Sequence, residues 1–402
     1  MKIVHTADWH WSEQKLEKCQ QSADFIIGQL DEIRPAVHII AGDYWDRRQV
    51  LAGSSAVLPA VEAMKRMASI SPVILILGNH AHDAAGSLDI FQDLRTRFPI
   101  YVTERATTIA LRVGKNSLPY FEECIRPDGT LISAGGVEAI FYLMPYPTKS
   151  TMLAESPDVS IDESNLMIRE IMRRLFLGFA AIGTEYECPK VLAAHCNVIG
   201  ARISSGQTLI GQDIAISRSD LEIANADYYA LGHIHVNQEI APRMHYAGSI
   251  YHNNFGESEN KYFNVVEIRG ADLEVIQVAI PSRPLSLHDV WYDPDTNELV
   301  DQNEVQDWEE AELRIRVHGV QEGLQLLDDD FIRTRFPGAW SYKIERIATP
   351  ENRIRSDQIS SARTLREKVK EWGCSLGKDT PGEVLSIADE VEKEFIENIH
   401  EG

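Results

Sequence analysis

The chain has 402 residues, 44% apolar and 25% charged, a composition that suits a globular protein with one large domain and one or two small ones. It contains no run of eighteen apolar residues, which argues against a membrane span, and Met1-Lys2-Ile3-Val4-His5 enters a strand-like run without a signal-peptide layout. With 61 Asp and Glu against 39 Lys and Arg, the net charge of −22 gives no general basic surface for nucleic acid, although a pair of bound dications would reverse the local field whatever the total.

The first third alternates strand and helix. Lys2–Ala7 reads as a buried strand ending at Asp8. Gln14 to Ile33 has helical periodicity through Leu16, Cys19, Ala23, Ile26, Ile27 and Leu30, and stops before Pro35. Val37–Ala41 is a second apolar strand, ending at Gly42-Asp43; Ala56–Met67 is helical; Val73–Leu77 is a third strand, ending at Gly78-Asn79-His80. A β-α-β-α-β run implies parallel strands joined by right-handed crossovers. Side chains that follow each strand then collect at one edge of the sheet, where open α/β sheets form their ligand sites.

Further on, Ile100–Val113 and Glu138–Pro147 read as short strands, Ser150–Asp162 as a polar connection and Leu166–Ala181 as a helix. Strands return at Val191–Ala194, ending at His195, and at Tyr228–Leu231, ending at Gly232-His233-Ile234-His235. Strands at Met244–Tyr246, Tyr262–Ile268 and Leu273–Ile280 suggest a second sheet, more antiparallel than the first. Composition shifts near Pro281–Pro284. Val290–Ile347 reads as a small α/β module with strands Glu312–Val317 and Trp340–Ile347, and two helices follow, Ser356–Gly373 and Pro381–Ile399. The five cysteines, Cys19, Cys124, Cys188, Cys196 and Cys374, are scattered and form no CxxC pair. Reduced thiols in a cytoplasm are expected, rather than a disulfide frame or a structural zinc knuckle.

Several strand ends therefore carry residues of metal-ligand type: Asp8 and His10, Asp43, Asn79 and His80, His195, and His233 and His235. On an extended segment residues two apart point the same way, so Asp8 and His10 are expected to grip one ion. Gly42 and Gly78 lack a Cβ and allow close approach. Any one of these pieces alone is more often a turn or a satisfied core residue; their joint occurrence in this order is what carries weight. Carboxylate, amide and imidazole donors together suit manganese, iron or zinc better than calcium or magnesium. There is no Gly-x-Ser-x-Gly elbow and no P-loop lysine.

Taken together, Asp8-x-His10, Gly42-Asp43-x-x-Asp46-Arg47, Gly78-Asn79-His80, His195 and Gly232-His233-x-His235 resemble the signature of the calcineurin-like metallophosphoesterases. His5-Thr6-Ala7-Asp8-Trp9-His10, Tyr229-Ala230-Leu231-Gly232-His233-Ile234-His235, and Tyr246-Ala247-Gly248-Ser249 followed by Phe255-Gly256-Glu257 are similar to the DNA-repair nuclease branch, which contains the SbcD subunit of SbcCD and its archaeal, eukaryotic and phage relatives. The resemblance implies a four-layer αββα sandwich with a small α/β cap domain and a C-terminal helical pair. The corresponding domains would be 1–282 for the nuclease, 283–349 for the cap and 350–402 for helices that dock on an SMC-like coiled-coil ATPase.

The resemblance also implies two divalent ions, most readily Mn2+. Asp8, His10, Asp43 and His235 would hold the first; Asp43, Asn79, His195 and His233 would hold the second, with Asp43 shared. His80 would face the scissile phosphate and help to protonate the leaving oxygen. The activity implied is hydrolysis of DNA phosphodiesters by a homodimeric exo- or endonuclease; a phosphoesterase acting on small phosphodiesters or phosphoproteins, and a non-enzymatic assembly module, are the alternatives. Ala81 stands where the family commonly has an acid, so either Asp83 substitutes for it or the loop is reshaped. Ile250 stands where relatives often carry proline. Asp46 is expected either near the metals or in a surface pair with Arg47. Tyr44 and Trp45 have the ring area to stack on a nucleotide, although aromatics beside a metal loop more often pack. The basic residues Arg314, Arg316, Arg333, Arg335, Lys343 and Arg346 are candidates for DNA phosphates or for a solvated strand face.

Overall fold

A computed structural model describes residues 1–48, 53–148, 161–204, 207, 214–257, 259–301, 308–348, 359, 362–375, 377 and 379–400. The chain divides into two compact units, one of residues 1–287, 306–314 and 338–342, the other of 288–305, 315–337 and 343–402.

The first unit is built on two sheets. Val37–Ile40 and Val73–Ile76 are mostly β-branched runs buried on both faces, as central parallel strands are. With Lys2–Thr6 and Ile100–Thr103 they form the parallel part of a six-stranded sheet, in register Ile3↔Val37, Ile39↔Ile74 and Ile74↔Tyr101. The helices Leu16–Ile33 and Val57–Ile70 supply the crossovers. The second sheet has seven strands, in the order Gln238–Ala241, Met244–Tyr246, Tyr228–Gly232, Lys190–His195, Val137–Met144, Thr107–Val113, Pro119–Glu123. The chain changes sheets between Thr103 and Thr107.

The second sheet is the more antiparallel of the two, as expected, with three of six pairings antiparallel against two of five in the first. Its membership differs from the expectation. The strands Lys261–Arg269 and Asp272–Ile280 lie in the first sheet, where the former pairs antiparallel with Lys2–Thr6 in register Val4↔Val265. Alternation along a strand reports which face is buried and says nothing about the partner across the ladder. The open edge of the first strand decides the matter here. Most of Ser150–Asp162 lies outside the described residues.

Three apolar layers hold this unit together. Ile3, Ile39, Ile74 and Ile76 meet Ile109, Phe141, Val191 and Tyr228 between the sheets. Helices Leu16–Ile33 and Val57–Ile70 cover the outer face of the first sheet through residues such as Ile26, Leu30, Met64 and Met67. Ile161–Gly183, through Met172, Phe176 and Phe179, and Arg218–Glu222, through Leu221, cover the second. The result is the four-layer α/β sandwich expected for a metallophosphoesterase.

The other unit contains strands of a four-stranded sheet ordered Glu298–Asp301, Leu285–Asp293, Glu312–Gly319, Ser341–Ala348. Leu365–Ser375 and Gly382–His400 pack on each other as a helical pair. No helix among the described residues is long and apolar enough to cross a membrane.

Phe141 is fully buried between the two sheets. Phe141→Ala is expected to destabilise the first unit by about 3–5 kcal/mol, through lost transfer energy and the cavity left behind. Chemical denaturation measures this; a change below about 1 kcal/mol, within the range of ordinary surface substitutions, would show that the sheets do not share this core.

Candidate metal centre

The loops after the strands leave the extended conformation abruptly. Asp8, His10, Asp43 and His233 have φ of 51°, 47°, 51° and 101°. Non-glycine residues held in sparsely populated backbone regions carry about 1–3 kcal/mol of strain each and persist only where the surroundings impose them. Here they do. Asp8 N–H donates to Gly42 O at 3.1 Å, His10 N–H to Asp43 O at 3.0 Å and Trp11 N–H to Tyr44 O at 2.9 Å, which laces the first two loops together. His233 N–H reaches both Asp8 carboxylate oxygens at 3.1 Å. Asp8 and His10 therefore converge through left-handed backbone, not through the alternation of an extended strand. Gly78 passes so close to Asp43 that a Cβ there would overlap its amide and carboxylate.

Two buried donor groups result. Asp8, His10 and His235 offer ligand atoms within 4.8 Å of one another, and so do Asp43, His195 and His233. Asp43 links the groups: its Oδ1 is 3.4 Å from His195 Nε2 and its Oδ2 is 3.9 Å from His10 Nε2. The ring tautomers suit cations. His195 Nδ1 donates to Ala41 O at 2.7 Å, so in the neutral ring Nε2 is a lone pair, buried without a hydrogen-bond partner. His235 Nδ1 faces Glu257 Oε1 at 2.8 Å, which turns its Nε2 toward His10 Nε2 at 3.1 Å. Inward-facing imidazole lone pairs beside two carboxylates form a donor set that fits divalent ions.

Burial raises Asp8 above the usual carboxylate range, against the pull of His195 and His235. Burial would raise Asp43 too, but His195, His82 and His10 outweigh it and hold that carboxyl below its ordinary range. Burial favours the neutral ring of His10, and His82 and His235 add to the effect. Burial works against charge on His195 as well, yet Asp43 raises it to about 9.

Around these residues lies a supporting layer. Asp83 is fully buried, and its carboxylate accepts from Tyr44 N–H at 3.2 Å, Trp45 N–H at 2.9 Å and Gly78 N–H at 2.9 Å. It thus performs the bracing expected of the acid missing at position 81. Burial and the nearby Asp43 carboxylate raise Asp83 to about 7, with the three amide donors opposing the rise. Glu257, from the Phe255-Gly256-Glu257 element, binds His235 and also the buried Lys261 at 2.6 Å. Burial opposes ionisation of Glu257, but His235 and Lys261 outweigh it and hold the acid at about 2.

Asn79 N–H donates to Asp43 Oδ1 at 2.5 Å, and its side-chain oxygen accepts from Ala81 N–H at 3.0 Å, with a second lone pair remaining. His80 is half-buried on the same loop and belongs to neither donor group. Asp46 approaches His10 Nδ1 at 4.0 Å and Lys15 Nζ at 3.7 Å, which agrees with the first of its two readings, a place beside the donor residues, and makes Lys15 its cationic neighbour. Tyr44 and Trp45 are buried against Phe91, with ring centroids 5.0 and 5.9 Å away; they pack and are not displayed for stacking. Sequence reasoning passed over His82, whose ring stands edge-on to His10 at 4.6 Å. Its only sequence signal is its place two residues after His80.

Buried carboxylates and imidazoles paired at the strand ends of a two-sheet α/β sandwich define a metal-dependent hydrolase. The model of the calcineurin-like phosphoesterase family matches residues 1–237, and the chain belongs to that family. The matched stretch holds every donor residue from Asp8 to His235, while Glu257 and the strands of 261–280 lie beyond it.

Asp83→Ala is expected to lower divalent-metal affinity by about 10–100-fold, as loss of partners behind metal ligands does. Calorimetric titration would show it, and unchanged affinity would mean that the loops hold their positions without this carboxylate.

Proposed function

We propose that the chain is a manganese-dependent DNA nuclease that hydrolyses phosphodiester bonds as the nuclease subunit of an SbcCD-like repair and recombination complex. The observation that carries this reading beyond the family is Glu257. The Phe255-Gly256-Glu257 element resembles the nuclease branch, lies outside the matched family region, and still reaches into the metal centre through His235.

In this reading Asp8, His10, Asp43 and His235 hold one ion, and Asp43, Asn79, His195 and His233 hold the other. When bound, the ions would supply an activated water and neutralise the phosphodiester. The chain's own groups do the rest. Ala41 O and Glu257 set the tautomers of His195 and His235. Asp8 anchors the His233 loop through its amide. His80 orients the phosphate and delivers a proton to the leaving oxygen.

The small C-terminal unit contributes less to DNA attraction than its composition suggests. Basic candidates are paired with acids: Arg316 with Asp289, Arg333 with Asp330, Lys343 with Glu345 and Arg346 with Asp329. That pairing favours a second reading, a phosphoesterase for small phosphodiesters. The helical pair exposes Trp372, Val384, Ile387 and Val391, an apolar surface suited to a coiled-coil ATPase partner in a dimeric assembly.

With Mn2+ the protein is expected to degrade linear DNA. Chelation should abolish this, and Asp8→Ala and His80→Ala should reduce the rate by at least about 10²-fold. Cleavage of a small chromogenic phosphodiester without cleavage of DNA would overturn the nuclease reading. In pull-downs from the source cell, a large coiled-coil ATPase is expected to copurify with the full chain and to be lost on truncation at Pro350; equal recovery with the truncated chain would refute the docking role of the helices.

A further inference from the structure

Beyond the family's donor set stands His82. Its Nδ1 lies 2.8 Å from the Asp46 carbonyl oxygen, which can only accept, so Nδ1 carries the proton. In the neutral ring Nε2 is then a lone pair. That Nε2 is 3.9 Å from Asp43 Oδ2, the same oxygen that His10 Nε2 approaches at 3.9 Å. Both separations exceed hydrogen-bond reach, so no proton is shared across either gap. Both remain below twice the ~2.1 Å typical of an imidazole or carboxylate bond to a divalent metal, so a cation on Asp43 Oδ2 is within reach of either nitrogen. His10, Asp46 and His82 also form a donor group of their own within 4.8 Å. The His10 side chain is 1% exposed and that of His82 is 33% exposed, which puts His82 on the solvent side of the cluster.

We propose that His82 is an additional ligand of the ion held by Asp8, His10, Asp43 and His235, closing that ion's coordination from the solvent side. The proposal rests on the two-metal reading above. It gives this centre one more imidazole than the family set, and added nitrogen donors shift preference from magnesium toward cobalt, iron or zinc. It also separates two neighbouring histidines by role, His80 toward the phosphate and His82 toward the ion.

The test is Co2+ titration of full-length protein freed of metal by chelation, followed by visible absorption and calorimetry. The wild type is expected to bind two ions. His82→Ala and His82→Gln should weaken one site by at least about 10-fold and alter the cobalt spectrum, and free imidazole should restore the spectrum of His82→Ala. His80→Ala should keep both affinities. Thermal melts of the metal-free variants verify that each is folded, and the imidazole rescue distinguishes a lost ligand from a disturbed loop. Wild-type affinities and spectrum in both His82 variants would overturn the proposal, even if activity fell. A wild type that binds no Co2+ would instead remove the two-metal reading beneath it.

Discussion

One buried carboxylate organises the centre. Asp83 accepts the amides of Tyr44, Trp45 and Gly78, and so ties the loop that carries Asp43 to the loop that carries Asn79 and His80. Neither loop could keep its shape by packing alone, because Asp43 sits in a left-handed backbone conformation that is intrinsically unfavourable. The strain at Asp8, His10 and His233 is balanced in the same manner, by amides and carboxylates exchanged between loops. Preorganisation is thus built from backbone hydrogen bonds, which fix the positions from which the donor side chains project.

The electrostatics follow from that frame. A chain with a net charge of −22 concentrates histidines where its acids would otherwise repel each other. His195, His82 and His10 hold the Asp43 carboxyl ionised despite its complete burial. On the far side Lys261 and Glu257 form a buried ion pair behind His235. A buried pair of this kind adds little net stability, because desolvation offsets most of the attraction, but it fixes the direction in which the imidazole points.

Much of the arrangement was legible in the chain. Asp8, His10, Asp43, His195, His233 and His235 each follow a short apolar run, and a parallel sheet brings such positions to one edge. The backbone that brings them together was not legible. Periodicity describes strands and helices, while the turns after Thr6 and Ile40 depend on hydrogen bonds to residues far along the sequence. The same limit explains the placement of strands 261–269 and 272–280, whose pattern shows an inward face but not the sheet to which it belongs. His82 was missed for another reason. It stands on no strand end, and only the fold turns its ring toward Asp43.

The placement of that hairpin bears on how the protein is made. Met1 N–H donates to Ile268 O, and the strand Lys2–Thr6 is completed by Lys261–Arg269. The strand Lys2–Thr6 therefore waits for more than two hundred further residues to be made before its open edge is paired. Contacts of such separation form slowly, because the loop between them must close first. Until then Lys2–Thr6 exposes an unpaired edge, the kind of surface through which nascent chains associate wrongly. A ladder that stabilises the finished molecule thus makes its biogenesis depend on shielding the strand Lys2–Thr6 during synthesis.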